Sequence, residues 1–111
     1  MAKPVKPLDV HKFVDLPGAD LVIEGLKELE TADLGECGFL VLAASPRLRS
    51  LGIDVPGRPD VPLPVEHQLY SLLESTHGDG AYSRYNSLMR RIVSFGQALA
   101  HIRSRENRAR G

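Results

Sequence analysis

With 111 residues, 42% of them apolar in type and 25% charged, the chain has room for one core and no comfortable room for two. The single cysteine, Cys37, excludes an intramolecular disulfide and any zinc site built of paired cysteines. The longest apolar run, Phe39 to Ala44, is far too short to cross a bilayer.

Fourteen bases and fourteen acids cancel, but their distribution is uneven. Residues 79 to 111 carry seven arginines against Asp79 and Glu106, a net +5, and residues 1 to 78 carry −5. Such a split is a recognised mark of an interaction tail. Three Phe, three Tyr and no Trp leave Leu, Ile, Val and Ala to build the core, a palette suited to helix packing. The opening MAKPVKPLDVHKF has no apolar run ahead of its charges, so no secretory signal is read there and a cytoplasmic location is expected.

In chain order, Pro4, Pro7 and Pro17 make residues 1–17 an arm, partly ordered at best. A first helix is predicted over about Gly18 to Ala32, burying Ala19, Val22, Leu26 and Leu29 and turning Glu24, Lys27, Glu28 and Glu30 to water. Asp33 then offers an N-cap, with Glu36 completing an approximate capping box. The second helix follows from Leu34, buries Cys37, Val41 and Ala44, kinks or restarts at Ser45-Pro46, and stops at Gly52. Gly38 to Ala44 also admits a short buried strand, because periodicity cannot arbitrate in so brief a run.

Residues 54–64 hold four prolines and are expected to form a solvated, extended connector. A third helix covers about Val65 to Thr76, and Asp79 can cap the last one, Ala81 to about Arg105. There Tyr85, Leu88, Ile92, Phe95, Leu99 and Ile102 recur at 3-4-3-4-3 intervals, the seam of an antiparallel bundle. Gly96 sits inside it and is read as a place where a neighbouring helix comes close. The tail 106–111 is expected to fray. The fold class implied is all-α: a four-helix bundle-like array of two hairpins in one domain, 18–105, with α+β as the alternative.

No catalytic, phosphate-loop or dinucleotide motif occurs, no cofactor is implied, and His11, His67, His77 and His101 are too scattered to suggest a metal. Cys37 lacks a local base and reads as a small buried hydrophobe. The turn at residues 75–86 gathers His77, Asp79, Tyr82 and Arg84 at a helix start, a candidate anion or ligand site, although an ordinary helix connection with Asp79 as N-cap is the favoured reading because no phosphate-loop fingerprint is present. Arg84, Arg90, Arg91, Arg105 and Arg108 fall within about a third of the last helix's circumference. Two functions are therefore expected: an interaction module binding another protein or itself, or nucleic-acid binding through that arginine face. A membrane partner is not expected.

Overall fold

The apolar run read as helix, with a short strand as the alternative, forms the central helix of an all-helical fold. The computed structural model describes the backbone of residues 9–110 and the side chains of residues 9–106; the N-terminal part of the arm and the Arg108 side chain lie outside these. Among the described residues there is no strand. After a 3-10 turn at Val10–Phe13 come α1 (Ala19–Glu28), α2 (Glu36–Ala43), α3 (Ser45–Ser50), α4 (Val65–His77) and α5 (Ala81–Arg110). Helix α2 packs against α1, α4 and α5, so Leu40, Val41 and Leu42 are buried around its circumference. A helix apolar on every side is what such a central position requires.

Helix α5 has thirty residues and a length of about 45 Å. Its seam is buried at Leu88, Ile92, Phe95 and Leu99, with Tyr85 and Ile102 partly covered at the ends, as the 3-4 spacing predicts. Its backbone stays helical to Arg110, past the expected end near Arg105. The break at Ser45-Pro46 is also present: α2 ends at Ala43, and α3 starts with proline in its first turn.

Helix α1 is held by bare backbone. A β-carbon on Gly25 would lie 2.3 Å from Val41 Cγ2 and 2.5 Å from the Cys37 carbonyl oxygen, so α1 rides directly on α2 there. Gly18, which precedes α1 in a left-handed conformation (φ 78°), would place a β-carbon 2.3 Å from the Arg91 carbonyl oxygen. Gly96 is different: its virtual β-carbon stands 3.7 Å from Leu51 and 3.8 Å from Arg47, ordinary contact distances. The close approach expected at Gly96 therefore falls at Gly25.

The ends of α1 and α2 also differ from expectation. Helix α1 stops at Glu28, not Ala32. The Thr31 hydroxyl donates to the Glu28 carbonyl (2.7 Å), and the Arg58 guanidinium donates to the carbonyls of Leu29 (3.4 Å) and Thr31 (3.0 Å). Helix α2 starts at Glu36 with Gly35 as its N-cap, and Asp33 lies too early to cap it. The cap comes from α1: one carboxylate oxygen of Glu28 accepts from the amides of Gly35 (2.7 Å) and Gly38 (2.8 Å). These are the donors a helix start leaves unpaired. Glu28 is thus not one of a solvated acidic row.

Nor is the proline-rich connector simply solvated. Its prolines are exposed, but Val55 and Val61, with Ile53 just ahead of them, are buried. Arg49 donates twice to the Val55 carbonyl, at 3.1 and 2.9 Å. The segment is a strap sealed by β-branched side chains ahead of and among its prolines.

Gly25→Ala is expected to cost about 1–3 kcal/mol through overpacking, against the usual helix preference for Ala, whereas Gly96→Ala gains up to about 1 kcal/mol. Urea midpoints of the two variants should move in opposite directions; a common direction contradicts this packing.

Candidate functional site

The turn after α4 brings two of its four candidate residues together, on a carboxylate from α2. Gly78–Gly80 form a single 3-10 turn leading into α5, and among the described residues the Asp79 side chain makes no hydrogen bond that would cap it. Arg84 Nη2 donates to Glu36 Oε1, and His77 Nε2 lies 3.7 Å from Glu36 Oε2. The Arg84 hydrogen bond, followed by its charge, holds the Glu36 carboxyl below its ordinary value despite partial burial. Arg84 Nε is buried and, among the described residues, has no partner. Tyr82, 66% exposed, and Asp79 face solvent and do not join the cluster.

A second ion pair fixes the next turns of α5. Arg91 Nη2 donates to both carboxylate oxygens of Asp20 at 2.7 and 2.8 Å, which lowers the Asp20 pKa. Part of the charge split between the halves of the chain is thus compensated internally. Of the five arginines on the candidate nucleic-acid face, Arg84 and Arg91 are engaged. Arg90 and Arg105 are exposed and form no ion pair among the described residues.

Cys37 is half-buried. Burial first, then the carboxylates of Glu28, Glu36 and Glu24, push its thiol up to about 11. That environment suppresses the thiolate and with it nucleophilic chemistry. Among the described residues no three His, Cys, Asp or Glu side chains gather as metal ligands, and no helix is long and apolar enough to cross a membrane.

The largest departure from the sequence reading lies on the other side of α5. Met89, Val93, Gly96 and Ala100 each follow a seam residue by one position, which turns them about 100° away from the core. Met89, Val93 and Gly96, with Ile92 and Gln97, form one wall of a groove of about 380 Å³; Ala44, Arg47 and Leu48 form the other. Val93 is 51% exposed although it stands in the middle of this apolar row. The signal was present as a second 4-3-4 repeat beside the seam, masked by the stronger one. A second groove, about 430 Å³, runs between α3 and the strap beside Leu63, which is 83% exposed. None of His77, Asp79, Tyr82 and Arg84 lines either groove.

No family model, curated protein or solved structure matches the chain.

Two outcomes test these environments. Because Glu36 and Asp20 have folded-state pKa values below their unfolded ones, their contribution is complete above the unfolded values and disappears as pH falls through the folded ones. The urea midpoint should therefore drop between about pH 5 and 3, and combining Arg84→Gln with Arg91→Gln should flatten that drop. An unchanged pH slope in the double variant would contradict the pairing. Separately, Cys37 in the folded protein should react with a disulfide reagent at pH 8 about 100-fold more slowly than after unfolding in urea.

Proposed function

We propose that the chain is a helical protein–protein interaction module that docks a partner on the groove between α3 and α5. The supporting observation is the second apolar row of α5, where Val93 is half-exposed above a floor of buried Leu48 and Ile92. Val93 is exposed between half-buried Met89 and Ala100 on the same row, and apolar side chains at helical spacing beside a groove are what a helix-binding surface uses.

Nucleic-acid binding is the second reading. It rests on Arg90 and Arg105, both exposed on a helix with no acidic residue from Ala81 to Arg105. It is the weaker reading, because Arg84 and Arg91 are already engaged by carboxylates and each lost phosphate contact reduces both affinity and its salt dependence.

A photo-crosslinking residue in place of Gln97, which lines the groove, tests the docking reading in extracts of the source cells. The expected result is one discrete protein adduct, absent when the probe replaces Ser75 and competed by excess wild type but not by Val93→Asp. Adducts equal at both positions, or none at Gln97, contradict it.

A further inference from the structure

We propose that the α3–α5 groove binds an acidic amphipathic helix from a different protein, an inference that rests on reading this groove as a docking surface. The two walls specify the occupant. Apolar positions 89, 93 and 96 span two turns of α5, about 10 Å, and so match apolar side chains repeating at three- and four-residue intervals on a facing helix. Gly96 lies buried under Leu51 and the Arg47 stem, so the groove is shallow there and its apolar contact falls to Met89 and Val93.

The charge of the walls is one-sided. Neither Ser45–Ser50 nor Ala81–Arg105 contains an Asp or Glu. Arg47 flanks the groove on α3, with its aliphatic stem beside Gly96. Arg90 belongs to the next row of α5, one position beyond Met89 and away from the core. Both are exposed, and neither pairs with a carboxylate among the described residues, in contrast to Arg84 and Arg91. Carboxylates flanking an apolar stripe complement this arrangement and steer its encounter.

A second copy of the chain fits poorly. Two-fold pairing through the groove would set Arg47 and Arg90 of one molecule against the same residues of the other, with no acid on either wall to separate them. A nucleic acid would meet the arginines but leave Val93 and Met89 without an apolar partner.

The test uses the full chain and two synthetic helical peptides with the same leucine face, one flanked by glutamates and the other by lysines. A short duplex DNA is the third ligand. Binding is read by fluorescence anisotropy, and its location by the methyl resonances of Val93 and Met89. The glutamate peptide is expected to bind about tenfold or more tightly than the lysine peptide and to shift both methyls. Val93→Asp, with unchanged far-UV circular dichroism, should abolish that binding, and Arg47→Glu combined with Arg90→Glu should reverse the preference.

Equal binding of both peptides in the groove would overturn the acidic assignment and leave the docking reading standing. If neither peptide moves the methyls, both fail. A dimer of the chain alone that buries Val93, or duplex binding indifferent to Val93→Asp with no peptide binding, would assign the surface to those ligands instead and overturn the proposal.

Discussion

The packing depends on two glycines where the chain approaches a neighbouring helix too closely for a β-carbon. Gly25 lets α1 rest on Val41 and the Cys37 carbonyl of α2, and Gly18 lets the chain enter α1 against the Arg91 carbonyl of α5. A β-carbon at either point would need space already occupied by other atoms, so the position of α1 is fixed from both sides. The polar groups around it follow from that position. Glu28 reaches the free amides of α2, and Asp20 reaches Arg91 on α5. Without the close approach, neither carboxylate would meet its donor.

This arrangement also divides the faces of α5 between different roles. The seam faces the core, the Arg84–Arg91 side meets acids of α1 and α2, and, among the described residues, the Met89–Val93 side has short α3 beside it. Three turns' worth of apolar surface on α5 meets a helix of six residues, which leaves Val93 half in water. The charge asymmetry of the chain has two components for the same reason. One part is neutralised within the fold by Glu36 and Asp20, and Arg90 and Arg105 form no ion pair among the described residues.

Much of the fold was legible because strong periodicity decided it. The α5 seam, the start of α4 at Val65 and the restart at Ser45-Pro46 all follow from spacing or proline chemistry that acts locally. What was not legible depended on distant partners. Glu28 resembles any exposed helix carboxylate until α2 is placed over it, and the cap expected from Asp33 was the local solution that lost to a tertiary one. Gly25 and Gly96 are equivalent in sequence, and only the neighbouring helix separates a required glycine from a replaceable one. The strap's prolines signal exposure, which is true of the prolines and not of Ile53 and Val55 ahead of them or Val61 among them. The turn at residues 75–86 looked dense because its polar residues are close in sequence; in space only His77 and Arg84 converge, and they do so on Glu36.

The most direct measurement is a nuclear Overhauser spectrum of the full chain with assigned methyl groups. Strong cross-peaks are predicted from the Gly25 α-protons to a Val41 methyl and from the Gly18 α-protons to the Phe95 β-protons, while the Val93 methyls exchange magnetisation with water. Missing glycine cross-peaks, or Val93 methyls dry and in contact with another segment of the same chain, would contradict the account.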